Sequence, residues 1–193
     1  GMPDHRRLKS GQIINLDITL EKNGFIADSS KMYLVGEVLP QARRLVKTTY
    51  EALWTGIREV RPGARLGDVG HAIQQYAQAA GYSVVREYCG HGIGREMHEA
   101  PQVLHFGIPG TGVVLEPGMT FTIEPMLNQG SHKVRTLSDD WTVVTRDGKL
   151  SAQWEHTLAV TESGVEVLTL RPEETHLAAS SRRSLMPQAL TKA

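Results

Sequence analysis

The chain has 193 residues, 40% of them hydrophobic, and its 21 Lys and Arg are balanced by 21 Asp and Glu. That balance argues against phosphate-dominated nucleic-acid binding, and the apolar content excludes a disordered chain. No apolar run approaches the ~20 residues that cross a bilayer, residues 1–7 lack the apolar core of a secretory signal, and the one cysteine, Cys89, points to a reducing, cytoplasmic setting.

Residues 12–20 alternate, with Ile14, Leu16, Ile18 and Leu20 on one face and Asn15, Asp17 and Thr19 on the other. The pattern predicts a strand, central in its sheet, with Leu16 and Ile18 buried. Lys22-Asn23-Gly24 signals a hairpin turn, and residues 25–35 return as its second strand. From Pro40 the period becomes helical through Leu45, Val46, Leu53, Ile57 and Val60, until Arg61-Pro62-Gly63 stops it. A second amphipathic helix reads from Leu66 to Ala80 and closes at Gly81. A short strand over 83–88, the glycine-rich Gly90-His91-Gly92-Ile93-Gly94, a loop over 99–117 and a strand over 119–124 follow. Residues 141–146 and 150–160 read as a hairpin around Asp147-Gly148, and 165–170 as a last strand. From Arg171 the chain loses periodicity and reads as a mobile tail. Helices grouped mid-chain between strands predict an α+β fold, with helices on one face of a mostly antiparallel sheet.

Asp17 and Asp28 are placed by the hairpin on one face, roughly opposite each other. Two opposed carboxylates cost stability unless they lie on a solvated edge or a cation sits between them. Glu124 ends the strand Thr120-Phe121-Thr122-Ile123, and Glu155 interrupts Ala152-Gln153-Trp154-Glu155-His156-Thr157-Leu158. His91 lies between glycines, where backbone can approach a ligand closely. Burying such charges unpaired costs several kcal/mol each. Four carboxylates and one imidazole without a thiolate do not match a structural zinc site, but carry enough charge for two divalent ions, and two-metal sites perform hydrolysis. His105 receives no functional reading, and no base is placed to activate Cys89.

Asn15-Leu16-Asp17-Ile18-Thr19, Ala27-Asp28-Ser29-Ser30-Lys31-Met32, Gly90-His91-Gly92-Ile93-Gly94, Thr120-Phe121-Thr122-Ile123-Glu124-Pro125-Met126 and Gln153-Trp154-Glu155-His156-Thr157 resemble, in order and spacing, the bacterial type I methionine aminopeptidases. The resemblance implies the pita-bread α+β fold, with a catalytic domain over 1–171 and a flexible tail over 172–193. It implies removal of the N-terminal methionine from nascent polypeptides, where Met precedes a small residue, in the cytoplasm and at the ribosome. Two divalent ions (Co, Mn, Fe or Zn) would be held by Asp17, Asp28, His91, Glu124 and Glu155. In the family Asp28 and Glu155 bridge, Asp17 chelates one ion, and His91 and Glu124 complete the other. A monovalent cation would lie near Ser151. Glu124 would shuttle the proton, His98 would bond the substrate carbonyl, and Met97 and Trp141 would line the methionine pocket.

Three features depart from the family pattern. Met97 stands where Phe is usual, and Glu96 where Gly is common, bringing a charge close to the pocket. The family's N-terminal third, with the histidine of its His-Gly-[Ile/Val]-Pro-Asp motif, precedes what is here Gly1. The expectation is a chain that assembles the metal site, turns over poorly, and self-associates through an uncovered apolar face. A Xaa-Pro-cleaving relative and a non-catalytic pita-bread binding protein are the alternatives.

Overall fold

The computed structural model describes residues 4–177. Strands β1 (Ile13–Lys22) and β2 (Phe25–Leu34) form the expected hairpin. Its two-residue turn puts Asn23 at φ 55° and Gly24 at φ 74°, the left-handed pair that matches strand twist. Helix α1 (Pro40–Glu59) starts with Pro40 in its first turn, where the missing N–H is not needed, and ends where Val60 turns extended. Helix α2 (Leu66–Ala79) is capped by Asp68, whose carboxylate accepts the Arg65 N–H at 2.9 Å.

Ten short strands follow: β3 (Ser83–Val84), β4 (Gly90–Gly92), β5 (Glu99–Val103), β6 (Thr120–Ile123), β7 (Met126–Asn128), β8 (Val134–Thr136), β9 (Val143–Thr145), β10 (Ser151–Gln153), β11 (His156–Thr161) and β12 (Gly164–Val167). The main sheet runs β12-β11-β6-β4-β5, a smaller one β10-β7-β3, and β8-β9 forms a separate ribbon. Every pairing is antiparallel. The α1 helix packs on β6, β7 and β10, and α2 on α1 and β3, so the helices share one side as the α+β reading requires. Trp54, Leu45, Leu53 and Ile57 of α1 meet Phe121, Ile123, Leu127 and Leu158 in one fully buried core.

Several expectations are corrected. Residues 99–103 are a strand, not loop. The strand lies at the sheet edge, the position that tolerates its Pro101. The hairpin expected around Asp147-Gly148 turns as read, but its arms go elsewhere: β9 pairs with β8, β10 with β7, and β11 with β6 and β12. The continuous strand expected over 150–160 breaks at Trp154-Glu155, because the Glu155 N–H is drawn to the carbonyl of Ser30 on the hairpin. The strand expected over 83–88 stops at Val84, with Arg86, Glu87 and Tyr88 exposed.

The first strand is not central. It pairs with β2 alone among the described residues, leaving Leu16 46% and Ile18 57% exposed. Alternation had identified the two faces of β1, but not which of them is covered. At the other end, the mobile tail does not begin at Arg171: Pro172–Glu174 form a 3₁₀ turn and Glu174 is buried. Residues 178–193 of the expected tail lie outside the described residues.

Candidate metal centre

The hairpin register pairs Asp17 with Ser30 and Thr19 with Asp28. The two aspartates therefore share a face but stand diagonally, not directly opposite, because the turn is centred on Asn23-Gly24 rather than one residue earlier. The Thr19 hydroxyl fills the gap and donates to Asp28 Oδ1 at 3.0 Å. His91 is the middle residue of β4, which sits between β6 and β5. Its flanking glycines serve the neighbouring strands rather than a ligand. A Cβ on Gly90 would strike the Thr122 carbonyl, and one on Gly92 the Ala100 carbonyl. The His91 Nδ1–H donates to the Gly92 carbonyl at 3.0 Å, which leaves Nε2 as the free, lone-pair nitrogen. That nitrogen lies 3.6 Å from Glu124 Oε1.

These side chains converge. Asp17, Asp28, His91, Glu124 and Glu155 all line one cavity of about 490 Å³, together with Tyr88, Met97, His98, Glu99 and Gln102 among others. Asp28, His91 and Glu155 each present a ligand atom, and those three atoms lie within 4.8 Å of one another. The His91 and His98 rings meet edge to face at 4.4 Å between centroids. Among the described residues, five carboxylates and two imidazoles line the cavity, without a lysine or arginine. The electrostatic result is large. Burial, with repulsion from Glu124, Asp28 and Asp17, pushes Glu155 up to about 10. Burial pushes Glu124 up to about 7 despite the Thr122 hydroxyl that donates to it. Burial and Asp28 also raise Asp17. A hard-donor set this crowded with negative charge fits divalent cations and has no other partner in the cavity.

A second layer of residues supports the first. His105 is fully buried and its Nε2 accepts the Glu124 backbone N–H at 3.0 Å, so burial drives it down to about 3 and keeps it neutral. Gln153 Nε2 donates to Glu124 Oε2 at 3.2 Å, and Thr122 Oγ1 accepts the His91 N–H at 3.1 Å. His105 carried no functional reading in the sequence. Gln153 and Thr122 were missed, because a polar residue in a half-buried strand carries no distinguishing pattern.

Trp141 and Glu96 stand apart from the cavity that the metal-site residues line. Trp141 is 66% exposed and is absent from the residues that line the cavity. It sits in the β8–β9 turn, where Asp139 accepts the Trp141 and Thr142 backbone N–H groups. Glu96 is exposed and does not line the cavity either; the nearby Glu99 does. Met97 does line it, half-exposed. Cys89 lines it too, with its thiol pushed up by burial and by Glu124, which makes it a poor nucleophile.

The profile of metallopeptidase family M24 matches residues 1–162. The chain belongs to metallopeptidase family M24. This M24 chain is 56% identical, over 176 residues, to the methionine aminopeptidase of Salmonella typhimurium, a match covering 91% of this chain and 67% of that protein. The crystal structure of methionine aminopeptidase from Rickettsia prowazekii superposes with a TM-score of 0.86 at 51% identity, over 88% of this chain and 69% of that one. The prolidase of Pyrococcus furiosus, at 22% identity and a TM-score of 0.68, shares the fold alone. The chain thus spans about two thirds of the length of the methionine aminopeptidases it matches. Their M24 architecture is the α+β pita-bread fold read from the sequence, and a metallopeptidase of this family works with divalent metal ions.

Proposed function

We propose that this M24 chain is an aminopeptidase that removes methionine from polypeptide N-termini where a small residue follows. The observation that carries the reading is the acidic cavity: Asp17, Asp28, His91, Glu124 and Glu155 around one space, with no lysine or arginine among the described residues that line it, in a chain 56% identical to a methionine aminopeptidase. These five residues would hold two divalent cations, with Mn, Fe, Co and Zn all suited to the donors. When bound, such ions polarise a scissile carbonyl and acidify water at neutral pH.

The chain's own residues supply the rest. Glu124, whose carboxyl burial raises in the metal-free site, is the group placed to take a proton and return it. His98 stands beside His91 with its ring at the cavity wall, where an imidazole N–H can meet the oxygen that gains charge in the transition state. Met97 offers a polarizable, apolar wall to a methionine side chain. Ser151 lies at the start of β10 opposite Asn128, whose buried Oδ1 has no hydrogen-bond partner. This supports a monovalent cation there.

No helix among the described residues is long and apolar enough to cross a membrane, and the substrates proposed are nascent chains at the ribosome in the cytoplasm. The exposed Leu16, Ile18 and Leu20 of β1 support self-association through that face.

The deciding assay compares Met-Ala-Ser with Ala-Pro peptides in the presence of Mn²⁺ or Co²⁺. Methionine release from the first alone is the expected outcome. Cleavage of the Xaa-Pro bond would move the chain to the prolidase branch, and no turnover with tight metal binding would make it a binding protein.

A further inference from the structure

Asp28 and Glu155 belong to different pieces of the fold. Asp28 is on the β1–β2 hairpin, which forms a sheet of its own, and Glu155 sits in the break between β10 and β11. Their separation is therefore set by the joint between those pieces and not by a shared strand ladder. Asn15 Nδ2 donates across this joint to the Gln153 carbonyl at 2.9 Å, and the Asp28 N–H to Thr157 Oγ1 at 3.0 Å. The Glu155 N–H donates to the Ser30 carbonyl at 3.2 Å, the Ser29 hydroxyl donates to the Glu155 carbonyl at 3.1 Å, and the Thr157 hydroxyl donates to the Asp28 carbonyl at 2.7 Å.

Arg171 reaches the same joint from the C-terminal segment. Its Nη2 donates to the Ser30 carbonyl at 2.6 Å, to Ser29 Oγ at 2.9 Å and to the Glu155 carbonyl at 3.3 Å. The other arm of the fork is anchored: Nη1 donates to Glu174 Oε1 at 2.9 Å and lies 3.0 Å from His156 Nε2. The Arg171 backbone N–H donates to Glu174 Oε2, also at 2.9 Å. Glu174 is 1% exposed. A buried ion pair is a weak source of stability, since apolar replacement is often neutral or better. Here the pair holds a planar fork, and the fork bonds to both sides of the joint.

We propose that Arg171, anchored by Glu174, is a positioning residue for the metal centre: it fixes the hairpin bearing Asp28 against the strand end bearing Glu155. The proposal rests on the metal-centre reading above. Lysine cannot replace it, because one ammonium cannot occupy the Glu174 side and the joint together.

The test is Mn²⁺ titration calorimetry on the full chain, wild type beside Arg171→Met, Arg171→Lys and Glu174→Gln. Urea unfolding of each in EDTA is measured in parallel. Loss of a residue that orients metal ligands weakens metal by about 10–100-fold. Arg171→Met is expected in that range, Arg171→Lys close to it, and Glu174→Gln at a smaller loss in the same direction. With Co²⁺, the visible absorption of the ion should change in Arg171→Met, which a purely structural role would not produce. Equal Mn²⁺ affinity in Arg171→Met and wild type, with only the urea midpoint moved, overturns the proposal and leaves the metal centre standing. If Arg171→Met shows no cooperative unfolding, Glu174→Gln decides, and unchanged affinity there overturns the proposal. A wild-type chain that takes up no Mn²⁺ overturns both readings.

Discussion

Glu155→Gln should make the metal-free protein more stable while destroying its affinity for metal. In the folded chain burial and three neighbouring carboxylates hold Glu155 at about 10, against 4.5 for the free side chain. Between those values the folded state keeps a proton that the unfolded chain has released, so stability falls as pH rises from 4.5. The slope is about 1.4 kcal/mol per pH unit, which amounts to about 3 kcal/mol at pH 7. That figure requires only that the folded value lie above 7. Glutamine has the same shape, stays neutral at every pH and is free of this cost. Urea unfolding in EDTA should show the two proteins close together near pH 4.5, with the variant ahead by about 3 kcal/mol at pH 7. Mn²⁺ at about a hundred times its dissociation constant should then raise the wild type by about 2.7 kcal/mol and leave the variant unmoved. A gap that does not change with pH, or a variant less stable than wild type at pH 7, would refute the reasoning.

Glu124→Gln keeps an oxygen at the same place but cannot take a proton, so methionine release should fall by ~10²–10⁴ with a smaller change in Mn²⁺ affinity by calorimetry. His98→Ala should lower kcat by ~10²–10³, the usual cost of one donor to a developing oxyanion, and a change confined to KM would remove that role from His98. His105, held down at about 3 against 6.5 when free, contributes stability that is fully present above pH 6.5 and lost as pH falls toward 3. His105→Gln should flatten the acid limb of urea stability by about 1.4 kcal/mol per pH unit below 6.5, read as the difference from wild type.

Much of this was legible in the chain because local chemistry decided it. Asn23-Gly24 fixed the hairpin turn, Pro40 and Gly81 bounded the helices, and the charged residues Asp17, Asp28, Glu124 and Glu155 stood out against apolar strands. What was not legible depended on partners far away in sequence. The exposure of Leu16 and Ile18 depends on what covers β1, which alternation does not encode. The break at Glu155 comes from the Ser30 carbonyl, 125 residues earlier along the chain. Trp141 was placed by resemblance, and its backbone is held in a local turn by Asp139. The C-terminal segment read as mobile from its composition, yet Arg171 and Glu174 owe their order to Ser29, Ser30 and His156.

The same long-range bonds explain how the fold tolerates its own site. The Ser30, Ser29 and Thr157 bonds hold the hairpin that carries Asp17 and Asp28 against the segment that carries Glu155. The apolar core lies behind that joint, with Trp154 donating its indole N–H to the Val46 carbonyl of α1 at 3.0 Å. The Arg171 guanidinium lies 5.4 Å from the Trp154 ring, so the joint is gripped by the helix on one side and by the Arg171–Glu174 pair on the other. Burial depresses His156 and leaves it neutral at pH 7. Burial also works against the Glu174 charge, but the hydrogen bonds from His156 and Arg171 outweigh it and hold the carboxyl at about 2. Glu174 is therefore an anion at every pH at which the enzyme would work, and with His156 uncharged its countercharge is Arg171. Arg171, which bonds the backbone at Ser30 and Glu155, is thus fixed from behind and kept out of the cavity, where it would compete with the cations.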